Sequence, residues 1–142
     1  MKTFKQFLTE SKESSSKYKK GEFGYWWTVI KEREDIEGKI YNGRIDCSYN
    51  ELTSLKGCPK EINGYFWCNN NKLTSLKGAP EKVGGDFDCS SNKLTSLKGM
   101  PKEVGGEFDC TSNNKLFHID NYVSGVVEAD ILSDDWNWDN ED

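Results

Sequence analysis

The chain has no apolar run of the length that a membrane-crossing helix needs, so no membrane partner is expected. Residues 1–20 carry no apolar h-region, so no secretory leader is expected either. Histidine is nearly absent: His118 stands alone, with no nucleophile beside it, and reads as structural. The five cysteines include no Cys-x-x-Cys pair, which removes the usual zinc spacing. No phosphate-binding glycine loop and no nucleophile elbow are present. These absences argue against an enzyme and against a bound cofactor or metal. Proline is scarce, and Pro59, Pro80 and Pro101 are the only three.

Those prolines lie 21 residues apart, and so does almost everything around them. The segments NELTSLKGCPKEINGYFWC (50–68), NKLTSLKGAPEKVGGDFDC (71–89) and NKLTSLKGMPKEVGGEFDC (92–110) are three copies of one unit. Cys47, Cys68, Cys89 and Cys110 form one column, and Asn50, Asn71, Asn92 and Asn113 another. Ile45, Phe66, Phe87 and Phe108 form a third. A period in the twenties predicts a solenoid in which each coil stacks on the next.

Within a unit, Phe87-Asp88-Cys89 alternates in and out and reads as a short strand of a parallel ladder with rungs about 4.8 Å apart. Leu94 and Leu97 point back into the core, and Gly99 and Pro101 turn the chain for its return. The cysteine column then packs as small hydrophobes, which suits a reducing, intracellular setting. Cys58 stands outside that column and reads as a loop residue with a potentially reactive thiol.

The pattern F-x-C-x-x-N-x-L-x-x-L-x-G-x-P resembles the leucine-rich repeat, with Phe87 and Cys89 in the strand leucine positions and Asn92 in the asparagine position. It departs from that repeat at Gly64, Gly85 and Gly106, where a leucine is usual, and Ile62, Val83 and Val104 are expected to fill the core instead. The short unit looks most like bacterial effector-type repeats that lack a long outer helix. The resemblance implies an α/β-solenoid class, mainly β. It also implies an asparagine amide that bonds the loop backbone of its coil.

The flanks divide the rest of the chain. Residues 23–43 hold two β-rich runs around a polar loop and read as a β-hairpin that caps the first coil, with Trp26, Trp27, Val29 and Ile30 as its apolar material. Residues 44–119 are the repeats, and residues 120–142 read as a C-terminal cap and acidic tail. Residues 11–22 are rich in Ser and Lys and read as a flexible linker. Charge is uneven: the first twenty residues carry six lysines against two acids, while eight acids and no base follow from Asp120 onward. The acidic total argues against direct nucleic-acid contact. Residues 1–10, MKTFKQFLTE, place Phe4, Phe7 and Leu8 on one helical face. Their M-K-T-[FY]-x-x-F-[LI]-x-E pattern resembles the capsid-targeting peptide of internal head proteins in large myoviral phages. That resemblance implies processing at Leu8-Thr9-Glu10, after Glu10, and a location in the phage head, the host cytoplasm, or both.

Function is sought where the repeat departs from itself. The outward strand positions are Arg44, Asp46 and Ser48; Tyr65, Trp67 and Asn69; Asp86, Asp88 and Ser90; Glu107, Asp109 and Thr111. One tryptophan interrupts an acidic column there, with Tyr65 beside it and Tyr49 near its edge. Either Trp67 packs on Tyr65 or the cap, or the pair forms an aromatic patch beside an acidic strip for a protein with a basic, partly apolar surface. Trp136 and Trp138 add a possible docking tail. The expected role is a non-enzymatic protein-binding module, phage-encoded, that engages or inhibits a host defence protein. The alternatives are a structural head protein and an acidic DNA mimic that blocks a nucleic-acid enzyme.

Overall fold

The computed structural model describes residues 2–6, 15–114 and 116. The chain winds as a mainly β solenoid whose coils repeat every 21 residues. Each coil contributes two short strands, one to each of two four-stranded parallel sheets. The first sheet runs β1 (Ile40–Tyr41), β3 (Glu61–Ile62), β5 (Lys82–Val83) and β7 (Glu103–Val104). The second runs β2 (Ile45–Asp46), β4 (Phe66–Trp67), β6 (Phe87–Asp88) and β8 (Phe108–Asp109). Register pairs Ile45 with Phe66, Phe66 with Phe87 and Phe87 with Phe108, so equivalent residues of successive coils stack directly.

Stacking turns each sequence column into a core ladder. Phe66, Phe87 and Phe108 lie ring on ring, with centroids 5.7 and 5.3 Å apart. The cysteine column and the two leucine columns are buried beside them. Ile62 and Val83 are buried too, while Val104 packs half-buried against the same core. Each fully buried Leu or Phe contributes roughly 1.5–3 kcal/mol over leaving it in water. The sequence pattern marks only the second sheet as strand. The first is made by the Ile62, Val83 and Val104 segments as they re-enter the core.

The asparagine column closes the coil where no ladder reaches. Asn92 accepts from the Leu73 N–H (3.0 Å) and donates to the carbonyls of Cys68 (3.0 Å), Cys89 (3.0 Å) and Ser90 (3.1 Å). Asn71 and Asn113 repeat the arrangement one coil away on either side. Every buried side-chain nitrogen or oxygen among the described residues has a partner. That is the condition on which buried polar groups are tolerated. Gly99, at φ +88°, sits where a Cβ would collide with the Leu76–Lys77 backbone. Only glycine fits there, because the turn of one coil rests directly on the turn before it.

The N-terminal cap differs from the expected β-hairpin. Residues 23–30 form a helical turn, α1 (Phe23–Tyr25), followed by a π-helical turn (Trp26–Ile30) closed by Lys31 N–H to Trp26 carbonyl at 2.9 Å. The physical reason is burial: Phe23, Gly24, Tyr25, Trp26 and Trp27 are all buried. A strand would turn alternate members of that run to solvent, whereas a helical turn folds them inward. The capping role itself holds. Phe23 continues the aromatic stack onto Phe66, with centroids 6.0 Å apart, and Trp26 and Trp27 pack on Phe23 at 5.7 Å each. Gly24 and Gly57 let the two backbones touch, since a Cβ on Gly57 would come within 2.6 Å of Gly24 Cα.

Residues 15–22, expected as part of a linker, are docked against this cap. Tyr18 is buried and donates to Asp35 (2.8 Å), and Lys17 reaches Asp35 (2.7 Å) and Glu37 (3.2 Å). The Gly21 carbonyl accepts the Thr53 N–H at 2.8 Å. Burial, then the bond to Asp35, pushes the Tyr18 phenol up. Partial burial alone would raise Asp35. The bonds from Lys17, the Glu37 N–H and Tyr18 outweigh it and hold the carboxyl below its usual range.

Candidate functional site

The outer face of the β2-β4-β6-β8 sheet collects the sequence-predicted contact residues. Register places Asp46, Trp67, Asp88 and Asp109 in one column, so Trp67 has an aspartate on each side. The aspartates share one local task. Asp46 Oδ1 accepts the N–H and hydroxyl of Ser48 at 3.0 and 2.5 Å. Asp88 holds Ser90 in the same way at 2.9 and 2.6 Å, and Asp109 holds Thr111 at 2.9 and 2.7 Å. Each carboxylate thereby braces the turn that follows its strand. Trp67 replaces one of these braces.

Trp67 stacks on Tyr65, with ring centroids 3.8 Å apart and planes 19° from parallel. The Arg44 guanidinium lies 5.8 Å from the Tyr65 ring centroid. Both aromatic rings are half-buried, and the Trp67 indole N–H has no partner among the described residues. Tyr49 is 74% exposed and takes φ +57°. The equivalent residues Asn70, Ser91 and Ser112 adopt the same left-handed conformation, at φ 53° to 56°, with smaller side chains, of which asparagine is a type that tolerates it well. On the last two coils, Asp86 and Asp88 neighbour Glu107 and Asp109, and Asp86 Oδ1 also accepts the Glu107 N–H at 2.9 Å. None of these four carboxylates has a cation partner among the described residues.

The structure therefore brings Arg44, Tyr65 and Trp67 together, sets Asp46, Asp86 and Asp88 on the neighbouring coils, and leaves Glu107 and Asp109 one coil further on. It also gives the acids a turn-bracing role that the alternating pattern conceals, because that role depends on a hydroxyl two residues further on. The processing pair Leu8 and Glu10, His118, the C-terminal cap and the tail residues Trp136 and Trp138 lie outside the described residues.

Cys58 is corrected. It is 5% exposed and sits in the main core, with half-buried Ala79 and Met100 packed against the same core in the equivalent positions of later coils. Burial pushes its thiol, and those of Cys47, Cys68 and Cys89, well above the ordinary range. Such thiols are poor nucleophiles. No group of three or more His, Cys, Asp or Glu side chains among the described residues is placed to hold a metal ion. No described helix is long and apolar enough to cross a membrane.

Comparison with protein-family models, with curated proteins and with solved structures finds no match. The functional reading therefore rests on the chain's own sequence and geometry.

Proposed function

We propose that the chain is a non-enzymatic protein-binding module that works through the aromatic face of its second sheet. The observation that carries this is Trp67. It occupies a column in which the other coils keep a turn-bracing aspartate, so this coil gives up that brace for an indole that closes no core. An aromatic pair with a free N–H, flanked by carboxylates, suits a partner that is apolar at its centre and basic around it. Tyr49 supports the reading, since a bulky, exposed residue in a left-handed conformation has no packing reason to be there.

The finer proposal is a short leucine-rich-repeat protein of a phage, aimed at a host protein. The Phe-x-Cys-x-x-Asn-x-Leu-x-x-Leu spacing supports the first part, and the MKTFKQFLTE opening supports the second. The test uses the full chain as bait in a host lysate, with Tyr65→Ala and Trp67→Ala beside it. Both variants are expected to keep the far-UV circular dichroism of the unaltered chain while losing the captured protein by at least about tenfold. Capture that both variants leave intact would sink the patch. Mass spectrometry of purified virions addresses packaging separately. It is expected to find the chain beginning at Ser11.

A further inference from the structure

The coil side opposite in charge to the aromatic face carries a surface with no assigned role. The charged column of the first sheet alternates in sign. Glu61, Lys82 and Glu103 follow one another down the first sheet, with Lys82 and Glu103 3.5 Å apart, and Lys72 reaches Glu51 at 3.6 Å. The turn column Lys56, Lys77 and Lys98 instead stacks three like charges at the coil spacing. Like charges stacked on neighbouring rungs are destabilising. Neither the Lys56 nor the Lys77 ammonium has a partner among the described residues. Both line a groove of about 550 Å³ with Thr53, Ser54, Ser75 and Gly78, and the one carboxylate in its lining, Glu37, is paired with Lys17 at 3.2 Å.

We infer that this lysine edge docks the acidic sheet face of a second copy of the chain. Spacing decides the occupant. Same-side groups of an extended peptide are about 6.6 Å apart, whereas rungs of a parallel ladder are about 4.8 Å apart. Lys56 and Lys77 occupy successive coils, and so do the pairs Asp86/Asp88 and Glu107/Asp109. The two columns share one period because one repeat makes both, so every ammonium meets a carboxylate in register. Each aspartate braces its turn through Oδ1, which leaves Oδ2 for the contact. The contact joins two different surfaces of the chain, so repeated in one sense it is head-to-tail and extends into chains. Exposed ion pairs are individually weak and screened by salt, so the association is weak and salt-sensitive. It does not depend on the aromatic patch.

Sedimentation equilibrium of the full chain over a concentration series tests this, at about 50 mM and about 500 mM salt. The average mass is expected to rise with concentration at low salt and to fall back to the monomer at high salt. Lys56→Glu/Lys77→Glu removes the edge. Asp88→Asn/Glu107→Lys/Asp109→Asn removes the face while Asn keeps the turn-bracing oxygen. Each variant alone is expected to stay monomeric, and a mixture of the two to form a one-to-one complex, since each retains the surface the other lacks. Trp67→Ala is expected to associate like the unaltered chain even if it has lost a foreign partner. A monomeric unaltered chain overturns the inference. So do variants that still self-associate, a mixture that does not combine, or an edge that holds an oligonucleotide while the chain stays monomeric.

Discussion

The coils and the N-terminal cap bury the same kinds of side chain by opposite means. In the coils every buried group meets its own kind. Phe lies on Phe, Cys lies beside Cys, and each Asn reaches the backbone of the coil before it. In the cap every contact is singular. Phe23 lies on Phe66, Trp27 donates its indole N–H to the Glu34 carbonyl at 2.8 Å, and the Arg33 guanidinium sits 4.7 Å from the Trp27 ring centroid. A repeat extends a core indefinitely but cannot end one. Whatever ends it has to differ from it, so here helical turns with bulky aromatics close a stack of strands.

The comparison can be pressed hardest with alkali. Burial raises the Cys47, Cys68 and Cys89 thiols of the column and the Cys58 thiol nearer the cap. Below the ordinary thiol pKa both folded and unfolded chains hold these protons, and the stability is fully present. Above it the unfolded chain releases them and the folded chain does not, so stability falls as pH rises toward the raised values. One unit above the ordinary pKa of about 8.5, the four thiols together remove on the order of 5 kcal/mol. Urea midpoints between pH 7 and 10 should drop steeply, and a thiol reagent should label all four sites only as the chain unfolds. Fast labelling of Cys58 in the folded chain would show the cap to be loosely seated.

Asn92→Ala comes next, at about 4 kcal/mol. It leaves the Leu73 N–H without a partner, at about 1–3 kcal/mol, and removes one of the two amide bonds to each of the Cys68 and Cys89 carbonyls, which keep those of Asn71 and Asn113, at about 0.5–1.5 kcal/mol each. Asn50→Ala is the control in the same column. Asn50 is exposed, its side chain bonds only the Ser48 carbonyl, and its loss should cost under about 1 kcal/mol. Equal losses at both positions would mean that the amide ladder is not what seals the coils. Phe23→Ala follows at about 3 kcal/mol, read from the same urea midpoints, since it removes the cap's one ring on the Phe stack. A loss as small as that of Asn50→Ala would show the first coil to be stable uncovered.

The coils were legible because a repeat is read many times over. Cys47, Cys68, Cys89 and Cys110 each carry weak evidence for an inward position, and their common phase makes it strong. Residues 40–41, read from sequence as the end of the cap, instead open the first sheet, where Ile40–Tyr41 pairs with Glu61–Ile62. The cap was not legible, because FGYWWTVI appears once and its apolar residues suit a strand or a helix equally. Only the need to bury Trp26 and Trp27 together decides between them. Tyr18 was hidden by its Ser- and Lys-rich neighbours, and its partner Asp35 lies 17 residues away. On the candidate face, alternation showed which residues point outward. The aspartate braces were missed because a turn-bracing carboxylate and a partner-seeking one look alike in sequence.

The smallest effect belongs to the pair on which the proposed function rests. A stacked aromatic pair contributes about 0.5–1.5 kcal/mol beyond its buried area. A double-mutant cycle over Tyr65→Ala and Trp67→Ala should therefore return a coupling near 1 kcal/mol, with each single variant still cooperatively folded. Stability alone gives Trp67 little reason to displace a brace. An aspartate at that position would still accept the Asn69 N–H, though no hydroxyl as Asp88 does from Ser90, through a bond worth about as much as the stack. Trp67→Asp measures this exchange directly. A stability equal to or above that of the unaltered chain leaves contact with another molecule as the reason for the indole. A loss of several kcal/mol would make Trp67 part of the coil's own packing, no different in kind from the phenylalanines beneath it.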